Sequence, residues 1–492
     1  MRRAFKPLLG AIVGTVLVLG LAGCAVNPAT GRPTFTAFMS AADEIRIGRE
    51  EHPKILDEFG GAYHDPAIRR YLSQIGGELG RVAEEPNLPF TFTVLNSDIV
   101  NAFALPGGYV YVTAGLMALA NNEAELAGVV AHEIGHIAAR HTAERYSTAL
   151  AAQIGLNVLG VLTGDRLLGQ GAELGATLAL SSFSREQESE ADMLGIRYMT
   201  RLGYDPMAMA TFLKSLEAEN ALRAKLAGRP GAADRFSLFS THPRTAERVA
   251  EAVGLARAQM ASAAELRLGA GAYLSRIDGM YYGGDPENGF VKGRLFIHPR
   301  MGFRFQVPPG FRLVNGRSRI VAIGPDRARI IFDVAPKPVP GSMAHYLQNV
   351  WAPGGRLAAV ETIGVNGLEG ATGATRVSTQ EGPVDLRLVA IRRDPSTIYR
   401  FAFLTPPKLS AALSEELRRT TYSFRLLTER EARVLRPLRI RVKAVEPGDT
   451  VASLAAGMRF EDHLIARFRT LNGLAPGQPL RAGQLVKIVV EG

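Results

Sequence analysis

VVAHEIGHIAARH, residues 129–141, places His132, Glu133 and His136 in an H-E-x-x-H string. Four residues turn a helix through roughly 400° at 3.6 residues per turn, so the two imidazoles leave one face about a turn apart. They can therefore grip one ion. Glu133, one position beyond His132, can reach a water held in an open coordination position and take its proton. The flanking stretch, Glu125 to Ile137, has no Pro and carries an apolar stripe with Leu126, Val129, Val130 and Ile137, which suits a buried helix. Two core histidines on a packed helix would leave the same string. Gly135 is the anomaly: a mid-helix Gly costs up to ~1 kcal/mol relative to Ala, so something should approach the backbone closely there.

A catalytic site of this type needs a third protein ligand, and a helical candidate lies about fifty residues downstream. That stretch is SREQESEADMLG, residues 184–195. Glu188 and Asp192 are four apart on one face. The first carboxylate can bind the ion, and the second can accept a ring N–H from a ligating His and so fix its tautomer. Glu186 and Glu190 lie about 200° around the helix from Glu188 and are expected to face solvent. All four acids could also form one charged helix surface.

Five blocks follow one another: NAFALPGGYVYVTAGL (101–116), NEAELAGVVAHEIGHIAARH (122–141), SREQESEAD (184–192), GYDP (203–206) and STHPRTAER (240–248). In this order they resemble the HtpX-like and BepA-like zinc metallopeptidases, metallopeptidase family forty-eight, relatives of the CAAX prenyl endopeptidases. The likeness covers roughly residues 40–255. It implies a mainly α, gluzincin-like zincin domain over residues 41–255 with a small edge-strand sheet. It also implies one Zn2+ per chain held by His132, His136 and Glu188, with Glu133 as catalytic base and Asp192 as the carboxylate behind a ligating His. Asn101 carries over as a substrate contact beside the cleft, where a turn role is the alternative. His242 matches a residue near zinc that fills the open position or stabilises the oxyanion. Arg248 would supply positive charge to the tetrahedral intermediate. Against these stand a local cap for His242 and a surface role for Arg248. The implied reaction is peptide hydrolysis by a Glu-activated water, without a covalent intermediate.

Other segments read physically. YVYVT, residues 109–113, is β-branched and aromatic behind Pro106, Gly107 and Gly108, as expected of a strand entered through a tight turn. At an edge it could pair with an extended peptide. RLGYDP, residues 201–206, ends one helix and starts another, with Gly203 at the left-handed position, Asp205 as cap and Pro206 at the first helical position. Residues 149–162 and 167–180 are two low-polarity runs, each short of the roughly 20 residues needed to cross a bilayer. They read as a helical hairpin that gates the cleft together with the loop around Gly231.

Arg2, Arg3 and Lys6 precede an apolar run from Leu8 to Leu21, then Leu21, Ala22, Gly23 and Cys24. This is a secretory signal, residues 1–23, whose end resembles a bacterial lipobox. The resemblance implies lipidation of Cys24, with 24–40 as a tether, and an outer-membrane lipoprotein facing the periplasm. The sole Cys is then consumed by the anchor, so no disulfide is available. Net charge is +10, and removal of the three basic residues before Cys24 leaves +7, suited to anionic lipid or cell-wall polymer. No nucleic-acid motif accompanies it.

Length implies about three folding units. After a helical, Ala-rich linker (256–294), short strands at 304–307, 329–334 and 398–404, with helices near 343–350 and 408–420, indicate an α+β domain over 295–428, mainly antiparallel. Its His298 and His345 are isolated and read as structural. Residues 438–490 describe a βααβ unit that resembles a LysM domain, which implies glycan binding, hence peptidoglycan, through Gly448, Asp449 and Thr450. Envelope proteins are the expected substrates. A cell-wall endopeptidase guided by the LysM-like unit, and a zinc-stabilised chaperone with little turnover, are the competing classes.

Overall fold

The computed structural model describes residues 24–27, 29–36, 39–149, 182–226, 238, 242, 251, 254, 266–337, 340–354, 357–379 and 382–492. The chain opens with an antiparallel hairpin, β1 (Cys24–Val26) and β2 (Pro33–Phe35). Asn27 in its turn is buried and donates from Nδ2 to Ala138 O at 3.0 Å. The stretch expected to be a tether is therefore docked, because a buried side-chain hydrogen bond fixes it. α1 (Ala41–Glu58) starts at Ser40, whose hydroxyl closes a capping box with Asp43. α2 (Pro66–Val82) starts at Asp65 with Pro66 in its first turn.

β3 (Thr91–Leu95), β4 (Ala102–Leu105) and β5 (Tyr109–Thr113) form a sheet in the order β3-β5-β4. β5 runs parallel to β3 and antiparallel to β4. Tyr109–Thr113 is thus the central strand, not an edge; Gly107 and Gly108, at φ +79° and +89°, fold β4 back onto one side of it and β3 fills the other. The edges are β3 and β4, and β4 follows Asn101.

α3 (Ala114–Leu119) leads into α4 (Glu123–Ala138), capped by Asn122 and buried along all of its residues. A helix apolar all round belongs in a core. α5 (Arg185–Arg201), α6 (Met207–Leu226) and α7 (Ala270–Ile277) complete the helical part. Gly203, at φ +72°, and Asp205, whose Oδ1 accepts Met207 N at 2.9 Å, join α5 to α6 as the sequence indicates. One core joins Leu72 and Ile75 of α2, Val110 and Val112 of β5, Leu126, Val130 and Ile134 of α4, Tyr198 of α5, Phe212 of α6, and Tyr273 and Ile277 of α7. This core runs past residue 255.

Within the stretch read as a helical linker, α7 is the helix, and the chain then turns at Gly279, Gly283 and Gly284, all at positive φ. β6 (Tyr281–Tyr282) and β7 (Phe290–Lys292) follow. Next come β8 (Leu295–His298), β9 (Phe303–Gln306), β10 (Arg312–Asn315), β11 (Arg319–Ile323), β12 (Arg329–Val334) and α8 (Met343–Tyr346). β13 (Ala358–Val365), β14 (Leu368–Thr379), β15 (Gly382–Asp394), β16 (Thr397–Thr405), α9 (Pro407–Ser423) and β17 (Arg425–Leu426) complete this part. Seven strands form one antiparallel sheet, β10-β11-β12-β16-β15-β14-β13, and four form another, β17-β9-β8-β7. Their core is aromatic: Phe296, Phe303, Phe305, Phe332, Tyr399, Phe401, Phe403 and Phe424.

The chain closes with β18 (Leu438–Ala444), α10 (Val451–Ala456), α11 (Leu464–Leu471) and β19 (Leu485–Glu491), with β18 between β19 and β6. Lys487 of β19 is fully buried and donates to the carbonyls of Ala118, Leu119 and Ala120 at 2.7, 3.0 and 2.7 Å. These are the C-terminal carbonyls of α3, the end of a helix that attracts a cation. Burial lowers the lysine pKa, and nearby Glu125 opposes that shift. Lys487→Met, which keeps the stem and removes the ammonium, should therefore cost roughly 3–5 kcal/mol, because three carbonyls and a buried carboxylate lose their cation. Urea unfolding checks this; an unchanged midpoint would show that the last unit is not held by this contact. Among the described residues no helix is long and apolar enough to cross a membrane.

Candidate metal centre

The two ligand-bearing helices touch backbone to backbone. A Cβ on Gly135 of α4 would sit 2.9 Å from Ala191 O and 3.2 Å from its Cα, and one on Gly195 of α5 would sit 3.1 Å from His132 N. The mid-helix glycine is thus explained by the close approach of α5. Gly135→Ala should push the helices apart at a cost of about 1–3 kcal/mol and weaken metal binding with it. Thermal unfolding with and without added zinc measures both effects.

This contact brings His132 and His136 to Glu188. His136 Nε2 lies 3.1 Å from His132 Nε2 and 3.4 Å from Glu188 Oε1, and Glu188 Oε2 lies 3.8 Å from His132 Nε2. His242 joins them, with Nδ1 2.7 Å from Glu188 Oε1 and 3.2 Å from His132 Nε2. The ligand atoms of all four residues lie within 4.8 Å of one another and can hold a metal ion. Nitrogens and oxygens about 2.0–2.1 Å from a common tetrahedral ion are roughly 3.3 Å apart, which these spacings bracket. Asp192 Oδ1 lies 2.9 Å from His132 Nδ1, behind the ring. Each of the four donors is at most 1% exposed. A cavity of about 1820 Å3 lies elsewhere, between α6, the β10–β12 face and the last unit.

The electrostatics suit a cation. Burial holds His136 well below the ordinary imidazole pKa, and burial also lowers His132 against the pull of Asp192. Burial opposes the Glu188 charge, yet His242, His136 and His132 outweigh it and hold the carboxyl well below the usual range. Two neutral imidazoles and one carboxylate are the protonation states a divalent metal requires. Glu133 is the remaining anomaly. It is 1% exposed, neither carboxylate oxygen has a hydrogen-bond partner among the described residues, and Oε1 is 3.4 Å from His242 Nε2. Such a group is retained for chemistry or for a bound ion or water.

Asn101 immediately precedes β4, fully buried, with both side-chain amide atoms unpartnered among the described residues. Its neighbour Val100 accepts from Leu238 N at 3.1 Å, and His242 N bonds Leu238 O at 2.8 Å, so the segment bearing His242 meets the chain beside that edge strand. Arg248, the hairpin segment 150–180 and Gly231 lie outside the described residues. Nothing is described for the Cys24 side chain. Gly448 takes φ +94°, Asp449 accepts from Glu446 N at 2.9 Å, and Thr450 caps α10.

Several residues around the centre escape a helical reading of the sequence. Glu190 is not solvent-facing: it is 9% exposed, bonded to His141 Nε2 at 3.0 Å and paired with Arg32 at 2.7 Å. α5 is covered on that side by the N-terminal hairpin. His141 Nδ1 in turn contacts His136 Nδ1 at 2.9 Å. Phe183 stacks on His136 with centroids 3.8 Å apart, and the Arg145 guanidinium lies 3.4 Å over Phe183. Burial pulls Arg145 down to about 10, against the pull of Glu188 and Glu133.

Helices that meet through glycine, two imidazoles, a carboxylate and a buried spare Glu define a gluzincin-like metal centre. The chain belongs to peptidase family M48: the model of that family matches residues 66–256. It is similar to Metalloprotease LoiP of Escherichia coli K12, at 34% identity over 227 residues, covering 44% of this chain and 83% of that protein. It is likewise similar to the Beta-barrel assembly-enhancing protease of Escherichia coli K12, at 31% over 267 residues, covering 51% of this chain and 52% of that one. The Mitochondrial metalloendopeptidase OMA1 of Schizosaccharomyces pombe is 29% identical over 258 residues, with 50% of this chain and 71% of that protein covered. The chain thus spans about half the length of the assembly-enhancing proteases it matches.

Proposed function

We propose that the chain is a zinc-dependent endopeptidase that cuts misfolded or unassembled cell-envelope proteins. The observation that carries this is Glu133, a buried carboxylate without a hydrogen-bond partner among the described residues, beside four residues that can ligate a metal. His132, His136 and Glu188 would hold the zinc. When bound, zinc supplies a Lewis acid and an acidified water. Glu133 would accept a proton from the attacking water and deliver it to the leaving amine. Asp192, behind the His132 ring, would keep His132 Nε2 turned toward the ion. Asn101 and the β4 edge are the candidates for contact with an extended substrate backbone.

His242 has two readings, occupant of the fourth ligand position or oxyanion donor. Its 2.7 Å approach to Glu188 favours the first in this closed arrangement. In the second reading it would donate a hydrogen bond to the developing oxyanion.

The relatives named for β-barrel assembly support envelope proteins as substrates. The basic, apolar N-terminus supports a signal peptide and a lipid anchor at Cys24, with the enzyme on the periplasmic face of the outer membrane. The strand-helix-helix-strand order of residues 438–491 supports a LysM-like unit, and Gly448, Asp449 and Thr450 are its glycan-groove candidates. The test sets purified protein on an unfolded protein substrate beside purified peptidoglycan. Cleavage of the first alone supports quality control, cleavage of the second supports the cell-wall reading, and zinc-bound protein that cuts neither supports a scaffold.

A further inference from the structure

We infer that His141 is a positioning residue for His136, held in place by Glu190 and by Arg32 of the N-terminal hairpin. The inference rests on His136 serving as a zinc ligand. His136 turns Nε2 toward the donor cluster and Nδ1 toward His141 Nδ1, 2.9 Å away. Between two such nitrogens one proton is shared. His141 Nε2 is 3.0 Å from Glu190 Oε2, and Glu190 Oε1 is 2.7 Å from Arg32 Nε.

The far end of this chain decides where each proton sits. A carboxylate paired with a guanidinium is an acceptor, so His141 carries its proton on Nε2 and donates it to Glu190. His141 Nδ1 is then an acceptor, and His136 must carry its proton on Nδ1. That leaves His136 Nε2 with a free lone pair facing Glu188, the tautomer a metal needs. For a neutral His141, the opposite arrangement would require a protonated Glu190 against Arg32.

The backbone is shaped to place His141 here. α4 ends at Ala138, and Arg140 adopts φ +57°, a left-handed conformation that is strained for a non-glycine residue and persists only when its surroundings impose it. Arg140 is held by Nε to Glu44 Oε1 at 3.0 Å and Nη2 to Met39 O at 2.9 Å. This reversal brings the His141 ring beneath His136, and both are at most 1% exposed. The hairpin that supplies Arg32 is pinned separately by Asn27 to Ala138 O. The N-terminal segment therefore buttresses a ligand it never touches.

The test is zinc affinity, measured on the full chain by competition with a chromophoric chelator, together with the d–d absorption of the Co2+ form. Second-sphere groups of this kind change metal affinity by about 10–100-fold. His141→Ala should weaken zinc by that factor and shift the Co2+ spectrum. His141→Gln, whose carbonyl can still accept from His136 Nδ1, should recover most of the loss, which a merely space-filling role would not produce. Glu190→Ala should fall between the two, and it carries the comparison if His141→Ala does not fold. Zinc binding by the native chain with both alanine variants within twofold of it would overturn the positioning role alone. Absence of zinc binding by the native chain would overturn it together with the ligand assignment.

Discussion

Replacing Glu133 by Gln should lower peptide hydrolysis by about 10²–10⁴-fold while leaving zinc bound, because the amide fills the same space and cannot take a proton. Its neighbours make the result readable. Among the described residues the carboxylate accepts no hydrogen bond, so none is lost there, and a buried charge is removed. Unfolding temperature should accordingly hold or rise. Turnover of a quenched-fluorescent peptide and metal content of the same preparation measure the two halves. Hydrolysis retained in the variant would remove Glu133 from the chemistry; hydrolysis lost together with zinc would make it a ligand instead.

Glu188→Gln should have the second large effect, a loss of zinc affinity of more than about 100-fold, the upper end of what even the groups behind a ligand command. Glu188 is the sole carboxylate among the four clustered donors, and it is fully buried. Without its charge, three imidazoles must neutralise a divalent cation in a dry site. Asp192→Asn, behind His132, should cost less, about 10–100-fold. Stabilisation by excess zinc, which at a thousand times the dissociation constant amounts to about 4 kcal/mol, should vanish in the Glu188 variant and persist in the Asp192 one. Equal zinc-dependent unfolding shifts in native and Glu188→Gln protein would exclude Glu188 from the ligand set.

The parts of the centre that were legible in the sequence are those encoded by helical period. His132 and His136, then Glu188 and Asp192, each fall four apart, and a turn of helix is the whole argument. Gly135 pointed to a close neighbour, and the neighbour is Ala191. His141 was not legible, because five residues past His136 is off the helix face; Arg140 leaves the helix and reverses the chain. Glu190 was misread because opposite faces of a helix imply water only when one of them is bare. Here a hairpin more than 150 residues upstream covers it, through an Arg32 that periodicity cannot locate.

The same limit applies to the sheets. Residues 329–334 and 398–404 were legible as strands, and they lie side by side as β12 and β16. Strand order was not: alternation places side chains on faces but says nothing of neighbours, so β5 passed for an edge although it pairs in parallel with β3. Lys487 was invisible for a related reason. A lysine in an alternating strand reads as a solvated position, and this one instead ends in three carbonyls of another unit.

That lysine also sets an order of events. The carbonyls it caps belong to residues made 367–369 positions earlier, immediately before the helix that bears His132 and His136. A growing polypeptide emerging amino end first must leave the end of α3 open until β19 arrives. One ammonium thereby ties the chain just ahead of the helix bearing His132 and His136 to a strand synthesised several hundred residues later.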